Sequence, residues 1–306
     1  MADLHAPPPT LLVVFNRPGV AARTLSALAA SAPAVLYVAA DGPRAGHATD
    51  AARCAEVRAL VQHGISWPCE VRTQFHDTNL GLQRAMVTAL DWFFEHETAG
   101  VILEDDCVPG PDFLPFAGAM LARWADDPRI MHVSGATAAS SAQRRRGAHV
   151  SYHFARGGTV WGWATWRRAW RTFDRSLADW PKLSASFNAD PSPLQRALAA
   201  KFASAHAGRK WTWPRAWYWS IARQHGLTIV PVANLVQNIG DDVDATHRHG
   251  ARHPLRRPAE TLAWPLVHPE RVEVDPDTER WLAHYHHGSW RRRLDDARYA
   301  WWARWT

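Results

Sequence analysis

The chain has 306 residues, of which 47% are hydrophobic and 21% charged, so it can bury a sizeable core in one large or two closely packed domains. No apolar run approaches the roughly 18 to 20 residues that span a bilayer, and the first residues lack the order of a signal peptide. Three scattered cysteines have no metal-type spacing and suit a reducing compartment, so we expect a cytoplasmic protein. The net charge of +6 is compatible with an anionic small substrate, a membrane surface or nucleic acid, and does not choose between them.

The first half of the chain alternates between buried-type strands and helices. We predict strands at 10–15, 34–40, 70–75 and 101–103, and helices at about 18–30, 50–63 and 79–97 between them. This βαβαβαβ order predicts an α/β fold, with a doubly wound, mostly parallel sheet flanked by helices.

Charged side chains follow three of these strands. Glu104, Asp105 and Asp106 end the fourth strand, whereas Arg17 follows the first and Asp41 the second. The carboxyl ends of parallel strands meet at one edge of the sheet, where ligands bind. Three adjacent carboxylates repel one another unless a cation such as Mg²⁺ or Mn²⁺ compensates them. Because Arg17 suits a phosphate and Asp41 a base N–H or a ribose hydroxyl, the pattern indicates a nucleoside-diphosphate site; the alternative is an acidic turn that caps the next helix.

The second half of the chain is rich in tryptophan. We predict a helix at 112–125, strands at 130–134, 151–156 and 227–232, and helices at 193–207 and from about 210. Trp163 and Trp166 lie three apart at the start of another expected helix, where each ring either lines a ligand site or packs in the core. Trp163 is the candidate for a ligand contact.

Two polar segments follow. The segment 234–249 contains Asp241, Asp242, Asp244 and His247, and we expect a ligand-ordered loop in which His247 meets a metal or a phosphate. Residues 289–306 interleave Arg and Trp at helical spacing, and either dock on the main domain or lie on an anionic membrane surface.

These motifs resemble those of GT-A-fold, metal-dependent glycosyltransferases, specifically bacterial family-2-like enzymes related to the N-acetylglucosaminyltransferase I group. The matching segments are Leu12-Val-Val-Phe-Asn-Arg-Pro18, Val38-Ala-Ala-Asp-Gly-Pro43, Asn79-Leu-Gly-Leu82, Leu103-Glu-Asp-Asp106 with Pro111-Asp-Phe113, Trp161-Gly-Trp-Ala-Thr-Trp166, and Asn238-Ile-Gly240 with Asp244-Ala-Thr-His247. They predict a glycosyltransferase domain at 1–250, with a nucleotide-binding half at about 10–135 and an acceptor-side half at about 136–250. A basic C-terminal extension, 251–306, would follow.

The resemblance implies transfer of a sugar from a nucleotide-diphosphate donor to a hydroxyl of a saccharide or lipid-linked glycan, in surface polysaccharide or lipopolysaccharide synthesis. It places Asp41 near the base and Arg17 near the nucleotide. Asp106 would bind the Mn²⁺ or Mg²⁺ directly, with Asp105 and Glu104 supporting the metal and the sugar.

The resemblance also implies an inverting reaction, which needs a general base. Relatives carry an acid in a Trp-rich Trp-Asp segment, whereas this chain reads Trp213-Pro-Arg-Ala-Trp217. Either Asp241, Asp242 or Asp244 substitutes, or the alignment slips, or the chain is an inactive sugar-nucleotide or glycan-binding module. The loop around His247 would close over the diphosphate. We expect no nucleic-acid partner, because the acidic strand end would repel phosphates without a metal.

Overall fold

A computed structural model describes residues 6–137, 149–240 and 257–286. The strands in these ranges are β1 (Thr10–Val14), β2 (Val35–Ala40), β3 (Glu70–Phe75), β4 (Ala99–Glu104), β5 (Cys107–Pro109), β6 (Ile130–Ser134), β7 (Tyr152–Ala155), β8 (Trp163–Trp166), β9 (Leu227–Pro231) and β10 (Val236–Asn238). The helices are α1 (Pro18–Ser31), α2 (Asp50–His63), α3 (Leu82–His96), α4 (Phe113–Arg123), α5 (Arg167–Trp170), α6 (Trp180–Ala189), α7 (Pro193–His206), α8 (Trp213–Arg223) and α9 (Pro276–His286).

Eight of the described strands form one sheet, in the order β3-β2-β1-β4-β8-β6-β9-β7. The half from β3 to β4 is wholly parallel, with Leu12 of β1 opposite Val38 of β2 and Leu103 of β4. In the other half β6 and β9 are parallel, whereas β8 runs antiparallel to both β4 and β6, and β7 antiparallel to β9. The predicted α/β class, with a large, mostly parallel sheet flanked by helices, is confirmed.

Both faces of the sheet are covered by apolar cores. Val101, Ile102 and Leu103 of β4 are fully buried, because their side chains alternate between the two cores. Ile102 packs with α3 and α8, whereas Val101 and Leu103 pack with α1 and α4. A strand buried on both faces has no polar alternation, which explains why its sequence is a continuous apolar run.

Strand β8 differs most from the prediction, which placed Trp163 and Trp166 at the start of a helix. Trp163 pairs with Ile102 of β4 on one side and with Ser134 of β6 on the other. Its neighbours in the sheet are distant in sequence, and four residues are too few to carry a periodicity, so a local pattern could not identify this central strand. The helix that follows, α5, is a single turn.

Two short strands form a separate antiparallel ribbon, which the sequence did not predict. β5 continues directly from the acidic residues and β10 leads to Gly240, with Cys107 opposite Asn238 and Pro109 opposite Val236. The ribbon therefore holds the chain around Gly240 beside the end of β4.

The described part of the predicted C-terminal extension, 257–286, packs on the rest of the fold. Glu279 of α9 accepts hydrogen bonds from Arg156 Nε at 2.8 Å, Arg156 Nη2 at 2.7 Å and Ser192 Oγ at 2.7 Å. Arg156 also pairs with Asp190 at 2.7 Å, so these four residues fasten α9 to β7 and α7. The domain boundary at 250 stays a prediction. Within the described ranges, no helix is long and apolar enough to cross a membrane.

Candidate functional site

Arg17 joins the carboxyl ends of β1 and β4. Its guanidinium pairs with Asp105 through Nη2 and, at 3.4 Å, through Nε, and Nη2 also donates to Asp106 Oδ2 at 2.9 Å. The Asp105 carbonyl accepts a hydrogen bond from Thr24 Oγ1 of α1 at 2.6 Å. The structure therefore brings together Arg17 and the acids at one edge, as the sequence predicted.

Asp106 is held from the opposite side by the ribbon of β5 and β10. Asn238 Nδ2 donates to Asp106 Oδ1 at 3.0 Å, and the Ile239 N–H donates to the Asp106 carbonyl at 2.9 Å. The Asp106 side chain is 16% exposed, whereas that of Asp105 is 6% exposed. Of these two carboxylates, Asp106 is the one that a ligand from solvent reaches more readily.

Negative charge at this edge exceeds positive charge. Among the described residues, Arg17 pairs with both Asp105 and Asp106, so one guanidinium faces two carboxylates, and the half-buried Glu104 carboxyl group beside them has no hydrogen-bond or ion-pair partner. Burial, reinforced by Asp106 and Asp105, raises the pKa of Glu104 to about 8. Burial also raises the pKa of Asp105 to about 6, against the opposing effect of Arg17. Burial by itself would lower the pKa of Arg17, but the two aspartates reverse this and raise it. The edge therefore favours additional positive charge.

This donor set suits a divalent cation that keeps positions open for substrate oxygens. No group of three His, Cys, Asp or Glu in the described ranges is arranged to hold a metal alone. Mg²⁺ and Mn²⁺ sites that bind phosphates use one or two carboxylates and take their remaining ligands from substrate and water. Asp106, which is partly exposed and adjacent to Glu104, a residue unpartnered in the described part of the chain, fits the role of such a carboxylate.

Gly240 is packed against the Asp106 carboxylate. A Cβ at position 240 would lie 2.0 Å from Asp106 Oδ2, a separation that forces one of the two groups to move. We expect Gly240→Ala to destabilise the fold by about 1–3 kcal/mol in urea unfolding, since the added methyl overpacks the site. It should also displace Asp106 and weaken ligand binding.

Gly19→Ala is the matched control, because nothing lies within 4 Å of a Cβ at position 19. Unchanged stability and unchanged ligand binding in Gly240→Ala would contradict the tight contact with Asp106.

The sequence did not predict a polar cluster that forms around the buried Asp50 beside Arg17. Asp50 is 1% exposed and accepts hydrogen bonds from Asn16 Nδ2 at 2.8 Å and from Arg44 Nε at 2.6 Å. Arg44 and Asn16 hold the pKa of Asp50 well below its usual range, against the effect of burial. The Arg44 guanidinium also lies over the Phe15 ring, 5.4 Å from its centroid. The cluster fixes the turn that carries Arg17; the only signal in the sequence is a pair of opposite charges six residues apart.

Asp41 has a different place from the one predicted. Its Oδ1 accepts from the N–H groups of Gly42 and Leu80, both at 2.8 Å. Its Oδ2 accepts from Asn79 Nδ2 at 2.9 Å and the Gly81 N–H at 3.0 Å. Since a carboxylate offers about four acceptor positions, protein donors fill all of them. Asp41 therefore ties the end of β2 to the start of α3, instead of presenting a free acceptor to a nucleobase or ribose.

Trp163 is likewise placed in the core and not at the surface of a ligand site. It is 1% exposed and stacks on His132, with ring centroids 5.0 Å apart, and on Trp213, at 5.8 Å. The structure gives Trp163 a packing role, which corrects the predicted ligand contact.

The remaining predicted residues lie outside the described ranges. They are the candidate bases Asp241, Asp242 and Asp244 and the candidate metal ligand His247. The chain enters their segment from Gly240, whose N–H donates to Asn238 Oδ1 at 3.1 Å, next to Asp106. In the sequence, Asp241 directly follows Gly240, which packs against Asp106.

No protein-family model matches the sequence, and no curated protein matches it. Among solved structures, the chain is similar to the crystal structure of UDP-glucose pyrophosphorylase complexed with UDP-glucose, with 7% sequence identity and a TM-score of 0.36 over 73% of this chain and 90% of that chain. A likeness at this level assigns no activity to this chain, whose chemistry has to be inferred from its own residues.

Proposed function

We propose that the protein is a nucleotide-sugar-dependent glycosyltransferase that moves a sugar from a nucleoside-diphosphate donor to a hydroxyl acceptor. The observation that supports this function best is the convergence of Glu104, Asp105 and Asp106 with Arg17 at the carboxyl edge of the sheet, with negative charge in excess. Phosphate groups approach such an edge only with a cation. A diphosphate bound with a metal ion supplies the cation that this acidic edge requires and so allows the phosphate groups to approach it.

We assign the metal site to Asp106, with His247 as a second ligand and Mn²⁺ or Mg²⁺ as the ion. When bound, such an ion stabilises the negative charge that develops on a departing diphosphate. Arg17 and Asn238 orient the two Asp106 oxygens from opposite sides, and the buried Asp105 adds negative charge behind them.

The acceptor hydroxyl requires a base, which we assign to Asp241, Asp242 or Asp244. Their segment directly follows Gly240, which lies beside Asp106, and this adjacency in sequence supports the assignment. Among the described residues, the stretch Trp213–Trp217 offers no carboxylate in its place. We propose an inverting reaction; a product with retained anomeric configuration would contradict it.

The acceptor class proposed is a saccharide or a lipid-linked glycan of a surface polysaccharide or lipopolysaccharide. The corresponding location is the cytoplasm, with peripheral contact to the inner face of the membrane through the basic segment 289–306. These assignments follow from the resemblance of the motifs and from the charge of that segment.

Donor hydrolysis tests the proposal without knowledge of the acceptor. The protein is incubated with UDP-, GDP- and CDP-linked sugars and Mn²⁺, and release of the nucleotide is followed. We expect hydrolysis of one donor class, reduced about 100-fold or more in Asp106→Asn, since a lost metal ligand removes several kcal/mol of transition-state stabilisation. Glu56→Gln, an exposed acid on α2, is the control and should match the wild type.

A binding module is the second candidate, favoured by the absence of a carboxylate from Trp213–Trp217. It predicts metal-dependent binding of a sugar nucleotide without hydrolysis, and without transfer to any acceptor. Hydrolysis that depends on Asp106 would exclude it.

A further inference from the structure

A cavity of about 710 Å³ lies at the edge of the sheet opposite the acids. Pro8 and Pro9, which precede β1, line it together with Ala99 at the start of β4 and Trp166 at the end of the antiparallel β8. The cavity lies at the start of β4 and Asp106 follows its end. Strands of five to six residues span roughly 16–20 Å, so the length of a strand separates the cavity from Asp106. It is not part of the donor site.

Among the described residues, three arginines and no acidic residue line this cavity: Arg167, Arg168 and Arg171. Arg167 Nε donates to the Glu97 carbonyl and Arg168 Nε to the Ala125 carbonyl, both at 2.9 Å. Carbonyl partners fix the direction of a guanidinium and leave its charge unneutralised. The exposed Arg171 side chain has no partner within the described part of the chain.

Acids near Arg168 do not neutralise its charge. Asp126 and Asp127 both act to raise the pKa of Arg168, yet burial outweighs them and lowers it. Asp127 already forms an ion pair with Arg129 at 2.7 Å. Arg168 Nη2 also donates to the Trp124 carbonyl at 2.9 Å, so the guanidinium is held by carbonyls and its charge is available to an anion in the cavity.

Apart from Thr98, the other residues that line the cavity are apolar or glycine. Leu121 and Ala122 of α4 complete a surface with the two prolines and Trp166, and the Arg168 guanidinium lies over the Trp166 ring, 4.5 Å from its centroid. Planar guanidinium groups beside an apolar surface match a ligand that carries both an anionic group and an apolar chain.

We propose that this cavity binds an amphipathic anion, a phosphate ester whose apolar chain lies on the proline-leucine surface while its phosphate contacts the arginines. This site is separate from the proposed donor site and does not depend on the proposed transferase activity. A phosphate of this kind belongs either to a free single-chain amphiphile or to a lipid in a membrane, and the test distinguishes the two.

The test is calorimetric titration with octyl phosphate below its aggregation threshold, compared with octyl glucoside and with inorganic phosphate. We expect octyl phosphate to bind and the neutral amphiphile and inorganic phosphate to bind at least about tenfold more weakly. Arg171→Gln should weaken octyl phosphate binding by about tenfold, the contribution of one hydrogen bond to a charged group. Ala122→Trp should block binding by filling the cavity. This second variant tests the site without removing a charged residue. Arg23→Gln, an exposed change on α1, is the control.

Co-sedimentation with phosphatidylglycerol and phosphatidylcholine vesicles identifies the source of the phosphate. Binding to anionic vesicles that is lost in Ala122→Trp assigns the site to a membrane lipid, and binding of octyl phosphate alone assigns it to a free amphiphile. Equal binding of octyl phosphate and octyl glucoside, or wild-type binding by both variants, would overturn the proposal. Neither variant should alter nucleotide binding, so the outcome is separable from that of the proposed function.

Discussion

Replacing Arg17 with glutamine should lower the free energy of unfolding by about 3 kcal/mol in metal-free buffer, because it leaves the buried Asp105 carboxylate without its counterion. Arg17 pairs with both Asp105 and Asp106, and its own side chain is only 16% exposed. Urea unfolding in the presence of a chelator measures the loss. Glutamine keeps much of the side-chain volume, so the effect comes mainly from the loss of the positive charge and of the guanidinium N–H donors.

A double-mutant cycle separates the ion pair from other effects of the substitution. Asp105→Asn should recover part of the stability lost in Arg17→Gln, with a coupling energy of about 1–3 kcal/mol between the two positions. Arg23→Gln, on the exposed face of α1, which directly follows Arg17, should leave stability within about 0.5 kcal/mol of wild type. A coupling energy near zero would contradict the role given to Arg17.

The second large effect is a loss of stability at acidic pH that depends on His132. This side chain is fully buried, and burial lowers its pKa to about 4. Its Nε2 lies 2.9 Å from the Thr159 carbonyl, and its Nδ1 accepts from Trp217 Nε1 at 3.1 Å. A proton on Nδ1 would face the indole N–H, so the neutral ring is the one that fits.

The sign of the pH dependence follows from the lowered pKa. Between about pH 6.5 and pH 4 the unfolded chain binds a proton that the folded chain excludes, so stability falls as the pH falls through this window. The difference between the two pKa values corresponds to about 3 kcal/mol. His132→Gln should be less stable than wild type at pH 7.5, and this deficit should shrink by about 3 kcal/mol at pH 4.

Comparison with a variant cancels the contributions of other groups, including Glu104 and Asp105, whose raised pKa values act in the opposite direction. His63→Gln, an exposed change in the last turn of α2, should follow the wild type across the whole range. A deficit in His132→Gln that stays constant with pH would show that His132 is not buried as a neutral ring.

Local patterns predicted the parallel half of the fold and the edge that carries the acids. The apolar run before Glu104 identified a strand buried on both faces, and the alternation with helices placed Arg17 at the same edge. Those inferences succeeded because strand burial and the right-handed βαβ connection are determined by residues close in sequence.

The roles of Asp41 and Trp163 depended on contacts that local patterns do not contain. Three of the four donors that saturate Asp41 come from 79–81, almost forty residues away, and Trp163 is buried because its strand lies between β4 and β6. An acid after a strand and a tryptophan after a glycine are equally typical of ligand contacts and of structural ones. Only long-range packing distinguishes them, which also explains why the contacts of Asp50 with Asn16 and of Asn238 with Asp106 were not predicted.

The most direct test of the proposed nucleotide site is calorimetric titration with UDP, GDP and CDP, with and without Mn²⁺, on wild type, Asp106→Ala and the Glu56→Ala control. The proposal predicts that one nucleotide binds wild type and the control only when Mn²⁺ is present, and that Asp106→Ala abolishes this binding. If no nucleotide binds under any condition, or if binding is the same without Mn²⁺ and in Asp106→Ala, the acids at the end of β4 do not form a metal-dependent nucleotide site.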